Sequence, residues 1–170
     1  MGLEVFDPSH VDIADHAASS QGVTRMAQNI YWEDVEVGQD ITSWSRTTDF
    51  MSWNRYAAVN DEFVYIHMDD EAGRAALNEQ GAFGMGNLRF AYLHNMLRDW
   101  AGDEAQVKKV GCQYRSINQK HDVLTCTGKI TGKRIENGEY LVDLSVDVIN
   151  QEGQSTAPGE ATVALPSRGG

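Results

Sequence analysis

Met85–Trp100, which reads MGNLRFAYLHNMLRDW, is the stretch that decides the fold of this 170-residue chain. Its apolar residues recur at three- and four-residue spacing, the pattern of a helix that buries one face. They are Met85, Leu88, Tyr92, Leu93, Met96, Leu97 and Trp100. Because Ala101-Gly102-Asp103 ends the pattern, we predict one long helix that packs into the core.

After this helix the apolar period changes to two, which indicates strands. The segments with this period are Val107–Ile117, Val123–Thr131, Tyr140–Ile149 and Ser155–Leu165. Turn sequences separate all four, and in the third segment apolar residues alternate with polar ones over residues 142–148. That alternation predicts an antiparallel sheet with one covered face. We therefore predict an α+β fold in which an antiparallel meander wraps around the long helix.

The upstream part of the chain predicts three shorter elements. A strand is expected over Ile41–Thr47, a helix over Phe50–Val59 that begins at Thr47-Thr48-Asp49, and a short helix over Asp70–Leu77. Residues 1–30 show little periodicity and are rich in Ala, Ser, Gln and Asp. We predict that they form a mobile or partner-wrapping arm, followed by a single domain over residues 31–170.

The composition argues against several classes of function. The net charge of -11 and the pI of about 4.7 oppose binding to nucleic acid or to anionic membranes. The chain has no apolar run of membrane-spanning length and no signal-peptide pattern, so we expect a cytoplasmic protein. Cys112 and Cys126 lack metal-ligand spacing, and we expect no metal site.

The loop over Asn60–Glu71, NDEFVYIHMDDE, carries the residues most suited to chemistry. Four apolar residues separate the acids Asp61 and Glu62 from His67. A carboxylate against an apolar wall can exchange protons near neutral pH, and a neutral imidazole can hold a water molecule. Together such groups could add water to a polarised double bond or eliminate it. The alternative from the residues alone is a packed or surface histidine.

Residues 57–69, AAVNDEFVYIHMD, resemble the signature of the MaoC-like dehydratases, the family of the (R)-specific enoyl-CoA hydratases. The resemblance extends over residues 31–166. It implies the hotdog fold, an antiparallel sheet around one long central helix. It also implies a hydratase or dehydratase that acts on an acyl-CoA or acyl-carrier thioester as a homodimer or hotdog heterodimer. CoA would be needed only as part of the substrate.

The resemblance also assigns roles to residues of this chain. Aligned on His67, the catalytic Asp of the family falls on Glu62, which is one methylene longer, and Asp61 is the alternative acid. Glu62 would act as general base and acid, and His67 would position the water and exchange a proton with it. The residues expected to bind the substrate or its thioester oxygen are Gly84, Met85, Gly86, Tyr65 and Arg89.

Three departures from the family pattern leave other functions open. Glu62 replaces the catalytic Asp, Val64-Tyr65 replaces the usual Asn-Pro, and Arg89 stands where family members often carry a small residue such as Ser. Arg89 is expected either to bind the carboxylate or to be a solvated or subunit-bridging charge. The Asp-to-Glu change at Glu62 and the Pro-to-Tyr change at Tyr65 favour a second hypothesis, a non-catalytic or half-active subunit of a heteromeric hydratase for a steroid or other bulky acyl-CoA. A hotdog thioesterase would need a carboxylate on the long helix, which has none before Asp99.

Overall fold

The computed structural model describes residues 29–169, so all of the predicted arm except residues 29 and 30 lies outside the described residues. The described part contains one sheet, three α-helices and two short 3-10 turns. In chain order the elements are the turn Trp32–Asp34, β1 (Trp44–Thr47), α1 (Phe50–Asn60), the turn Tyr65–His67, α2 (Asp70–Ala76), α3 (Gly86–Ala101), β2 (Gln106–Cys112), β3 (Val123–Glu136), β4 (Glu139–Ile149) and β5 (Gly159–Leu165). The predicted α+β class is confirmed.

Helix α3 is the long central helix that the sequence predicts. It contacts β2, β3, β4 and β5, and the predicted apolar stripe is buried along its whole length. Leu93, Met96 and Leu97 have no exposed surface at all. The helix therefore fills the concave side of the sheet, where the burial of its apolar face supplies the main stabilisation.

All strand pairs in the sheet are antiparallel, in the order β1-β3-β4-β5-β2. The predicted simple meander is wrong in one respect, because β2 pairs with β5 at the far edge and not with β3. The turn between β3 and β4 is as predicted. Asn137 and Gly138 both adopt positive φ, of 52° and 82°, which gives the tight two-residue hairpin favoured by the sheet twist.

Several predicted boundaries shift, and one shift that matters for the site concerns the segment after β2. That strand ends at Cys112 and not at Ile117, and β5 begins at Gly159 and not at Ser155. Residues 113–118 leave the sheet and run past the first turn of α3. Their backbone stays tied to the chain before β5, since the amide of Arg115 donates to the carbonyl of Thr156 at 2.9 Å. This crossing segment becomes one wall of the site described below.

Two further corrections concern β1 and β3. Strand β1 begins at Trp44 and not at Ile41, and β3 continues to Glu136 instead of ending at Thr131. The cap of α1 is Asp49, whose carboxylate accepts from the amide of Ser52 at 2.8 Å. Within residues 29–169, no helix combines the length and the apolar character needed to cross a membrane.

Candidate active site

His67 is held in a single orientation by the backbone that follows it. The ring is 9% exposed, and its Nδ1 lies 2.7 Å from the carbonyl oxygen of Phe83. Because a carbonyl can only accept, Nδ1 must carry the proton and donate it. The Phe83 ring also packs edge-on against the imidazole, with ring centroids 5.1 Å apart. In the neutral ring this arrangement leaves Nε2 as an acceptor, ready to bind a water or a substrate proton.

Glu62 is placed by the end of helix α1. Asp61 ends the helix in the left-handed conformation, with φ of 53°, and the amide of Glu62 donates back to the carbonyl of Ala57 at 3.1 Å. The Glu62 carboxylate then accepts from the side-chain amide of the exposed Asn87, at 3.4 Å to one oxygen and 3.3 Å to the other. The acid is thus tethered to the first turn of α3.

Asn87, which donates to Glu62, has a second hydrogen-bond partner that the sequence did not predict. The hydroxyl of Tyr114 donates to the Oδ1 atom of Asn87 at 3.1 Å. Tyr114 is 47% exposed, and its partial burial is the largest cause that raises the pKa of its phenol to about 12, so the phenol remains a donor at neutral pH. A donor on one side and a carboxylate on the other determine which way the Asn87 amide faces. Tyr114, Asn87 and Glu62 form a hydrogen-bonded chain, which we call the Glu62 relay.

The start of helix α3 needs glycine for close packing. A Cβ on Gly84 would overlap the side-chain amide of Asn118, and one on Gly86 would approach the Tyr114 ring to 2.7 Å. The amide of Gly84 donates to the carbonyl of Asn118 at 2.8 Å. It is therefore occupied, contrary to the expectation that it binds the thioester oxygen. The first-turn amides of Gly86 and Asn87 have no intrahelical partner and are the better candidates.

A cavity of about 280 Å³ brings several of these groups together. Its lining residues are His67, Phe83, Gly84, Gly86, Arg89, Tyr114, Arg115, Ser116 and Ile117. Four of the predicted site residues belong to this set. Glu62 does not line the cavity but reaches its wall through the relay, since Tyr114 is a lining residue.

Three other predicted residues lie away from the cavity. The side chain of Met85 is fully buried in the core, so only its backbone is available for binding. Tyr65 is 80% exposed and faces solvent. Asp61 is also exposed, and its backbone ends α1. Neither Tyr65 nor Asp61 is placed to contact a ligand in this cavity.

No protein-family model matches the sequence, and no curated protein matches it. Solved structures match it closely in shape. The (R)-hydratase PhaJ1 from Pseudomonas aeruginosa has a TM-score of 0.74 at 20% identity, over 82% of this chain and 88% of that one. A MaoC-like dehydratase from Rhodospirillum rubrum has a TM-score of 0.70 at 19% identity, over 82% and 99%. The ChsH1–ChsH2 complex from Mycobacterium tuberculosis supplies a match with a TM-score of 0.66 at 19% identity, over 77% and 98%.

This chain has the MaoC-like hotdog fold. The fold explains why the loop after α1 and the first turn of α3 meet, since both lie at the same end of the central helix. At these identities the likeness is one of architecture. The assignment of chemistry to Glu62 and His67 therefore depends on the geometry of this chain.

Arg89 differs from the expectation of a solvated or subunit-bridging charge. The side chain is 3% exposed, and Nη1 donates to the carbonyls of Ser116 at 2.6 Å and Thr156 at 3.1 Å. Its guanidinium also lies over the Tyr114 ring, 5.2 Å from the centroid. The Glu62 carboxylate is bonded by Asn87 and not by Arg89. Arg89 therefore ties the crossing segment to the chain before β5.

The relay predicts a measurable change in catalysis. Asn87→Ala should lower kcat for the reaction proposed below about fivefold, since one hydrogen bond to the carboxylate contributes about 1 kcal/mol. Tyr114→Phe should lower kcat less, and the double variant should match Asn87→Ala alone because both changes break the same chain. The exposed Asn95→Ala, on the same helix, is the control. Additive losses in the double variant would show that the two residues act independently.

The segment that carries Phe83 is anchored by Asp70. Its Oδ1 accepts from the amide of Ala82 at 2.9 Å, and both carboxylate oxygens lie 2.8 Å from Nζ of Lys120. The hydrogen bond from Lys120 is the largest cause that lowers the pKa of Asp70 in the folded protein. The resulting stabilisation is present above the unfolded-state pKa of about 4 and is lost as the pH falls through the folded-state value.

We therefore expect a pH-dependent difference between wild type and Asp70→Asn. The stability gap between them should be full at pH 6 and should shrink at pH 3, where the wild-type carboxylate gains a proton. Urea unfolding midpoints at the two pH values measure it, with the exposed Glu71→Gln from the same helix as control. An Asp70→Asn gap that does not change between the two pH values would contradict this prediction.

Proposed function

We propose that this protein is a hydro-lyase that adds water to the double bond of a 2-enoyl thioester and catalyses the reverse dehydration. The observation that carries the proposal is a buried imidazole of fixed tautomer in one cavity with the first turn of α3. The Glu62 carboxylate, from the loop after α1, accepts hydrogen bonds from Asn87 in that same turn. His67 supplies an acceptor for water, Glu62 supplies an acid or base, and the amides of the first turn of α3 supply donors for an oxygen that becomes negative.

In the proposed step Glu62 acts first as a base and then as an acid. It accepts a proton from the water that His67 orients, and the water oxygen bonds to C3 of the thioester. Glu62 then returns that proton to C2, which regenerates the carboxylate. The thioester oxygen carries negative charge in between, and the amides of Gly86 and Asn87 would donate to it. One water is consumed, and neither an oxidant nor a reductant is needed. CoA enters this reaction only as part of the substrate.

The similar solved structures support this class of reaction, because they include an (R)-hydratase and a MaoC-like dehydratase. We accordingly propose an (R)-3-hydroxyacyl thioester as the product. The cavity of about 280 Å³ lies just below the usual 300–1,000 Å³ for small-molecule sites, and a short acyl group fits this volume better than a steroid does.

The test is an absorbance assay on the purified chain. Loss of the enoyl thioester absorbance with crotonyl-CoA is expected. A 3-hydroxyacyl-CoA dehydrogenase that is specific for the (R)-isomer should then oxidise the product, and one that is specific for the (S)-isomer should not. Absence of turnover with short, long and carboxylated enoyl thioesters would contradict the proposal for the chain acting alone.

A second candidate function is a subunit that works only with a different hotdog chain. The structural match to the ChsH1–ChsH2 complex favours it, as does the position of Glu62 behind the cavity wall and not on its surface. In that case the purified chain would be inactive, and activity would appear on mixing with a second chain. Measuring the mass of the assembly in solution distinguishes a homodimer from a chain that lacks its partner.

A further inference from the structure

Arg89 is a buried cation without a buried counterion. Among residues 29–169, the ion pairs involve six other cations, and none includes Arg89. The two carbonyls satisfy Nη1, but neutral carbonyls do not cancel the charge. The Nε atom is fully buried and has no hydrogen-bond partner. Removing such a charge from water costs several kcal/mol unless an anion approaches it.

The lining of the cavity is positive, although the chain as a whole carries a net charge of -11. Arg89 and Arg115 both line it, and no Asp or Glu among residues 29–169 does. Helix α3 also begins at this wall, and helix N-termini favour anions. Burial is the largest cause that lowers the pKa of Arg89, and the smaller opposite effects come from Tyr114 and Cys112, neither of which is a carboxylate.

A second depression on the protein surface also contains several cationic side chains and can be compared with the cavity. It measures about 330 Å³ and is lined by Lys108, Lys109 and Arg134 among others. There each cation has an acidic partner: Lys108 pairs with Glu139, Lys109 with Glu160, and Arg134 with Glu136 and Asp143. The cavity with Arg89 lacks such partners, so its positive charge is left for a ligand.

We propose that this cavity binds a carboxylate on the acyl group, so that the preferred substrate is a short enoyl thioester with a carboxylate near the double bond. This inference rests on the proposed function and names the substrate class of the same site. Arg89 would bind the carboxylate inside the cavity with a charge-assisted hydrogen bond. The phosphates of CoA are the other possible source of negative charge, but a 3% exposed guanidinium lies too deep for a bulky, hydrated phosphate.

The test compares crotonyl and fumaryl thioesters, because fumaryl replaces the terminal methyl of crotonyl with a carboxylate. Each acyl group is used on CoA and on pantetheine, which lacks the CoA phosphates. The wild type should show a kcat/KM for fumaryl that is about 10- to 100-fold higher than for crotonyl on both carriers. A glutaconyl thioester places the carboxylate one methylene farther from the double bond, and its kcat/KM should also exceed that of the crotonyl thioester.

Variants connect this preference to Arg89. In Arg89→Met the ratio of kcat/KM for fumaryl to that for crotonyl should fall about 10- to 100-fold, whereas Arg89→Lys should keep a ratio above one. Thermal unfolding checks that both variants fold. Arg115→Gln, at an exposed residue of the same wall, is the control and should change the ratio less than Arg89→Met does. If Arg89→Met does not fold, the wild-type ratios on pantetheine decide the question.

The outcomes separate this inference from the proposed function. Equal or better hydration of crotonyl than of fumaryl and glutaconyl on both carriers would overturn the inference and leave the hydratase proposal intact. A fumaryl preference seen on CoA but absent on pantetheine would assign the anion site to phosphate and also overturn it. If no thioester is hydrated, the dissociation constants of succinyl-pantetheine and butyryl-pantetheine are compared. Tighter binding of the succinyl compound supports the carboxylate site, and equal binding of the two overturns it.

Discussion

Glu62→Gln should lower kcat for hydration of an enoyl thioester by about 10²- to 10⁴-fold, the usual contribution of a general acid–base group. Gln keeps the size of the side chain and its hydrogen bond with Asn87, but it cannot accept a proton from water. His67→Ala should cause a loss of similar size, because the ring that orients the water is removed. Initial rates of absorbance loss at saturating substrate measure both variants.

Two matched controls make this prediction sharp. Asp61→Asn is the same acid-to-amide change one residue away, and Asn tolerates the left-handed backbone found at that position. His121→Asn removes an exposed histidine that also has positive φ. Both should keep wild-type kcat within about twofold. A collapse in Asp61→Asn with normal activity in Glu62→Gln would mean that the acid is Asp61.

Leu93→Ala should lower the free energy of unfolding by about 2–5 kcal/mol, which is the range for truncating a fully buried leucine. Leu93 has no exposed surface and lies in the middle of helix α3, against the concave side of the sheet. The cost combines the lost burial of the side chain with the cavity left behind, because neighbours such as Met96 relax only in part. Urea unfolding measures the change, with the denaturant slope held as a check on cooperativity.

The exposed Asn95→Ala is the control for this change, since it lies two residues away on the same helix. Alanine is a good helix former, so this variant should stay within about 0.5 kcal/mol of wild type. If Leu93→Ala cost no more than Asn95→Ala, helix α3 would not be the centre of the core.

Most of the secondary structure was predictable from local patterns. The stripe on Met85–Trp100 depends only on spacing along one helix, and the alternation in β4 depends only on spacing along one strand. The Asn137-Gly138 turn is equally local, because the φ values it needs favour those two residue types. The strand ends were less predictable, since residues 113–117 have strand-like composition but turn away to cover α3.

The candidate site was predictable only in part. His67 and Glu62 were found because they lie five residues apart in one loop with an apolar centre. The sequence did not indicate a functional role for Asn87 or Tyr114. A polar residue in the first turn of a helix and an aromatic residue after a strand are both common in proteins. The relay joins residues 25 and 27 positions apart in sequence, so it exists only once the loop, the helix and the crossing segment have come together.

The sequence by itself determined the α+β class, the central helix, the hairpin turn and the loop that holds the acid and the histidine. These features follow from propensity, apolar period and turn chemistry, which act over a few neighbouring residues. Only the tertiary structure decided that β2 lies at the far edge of the sheet, that the Gly84 amide is occupied and that Arg89 is buried. Those outcomes depend on contacts between segments that are far apart in sequence. The burial of a side chain and the compensation of its charge are set by these contacts and not by its sequence neighbours.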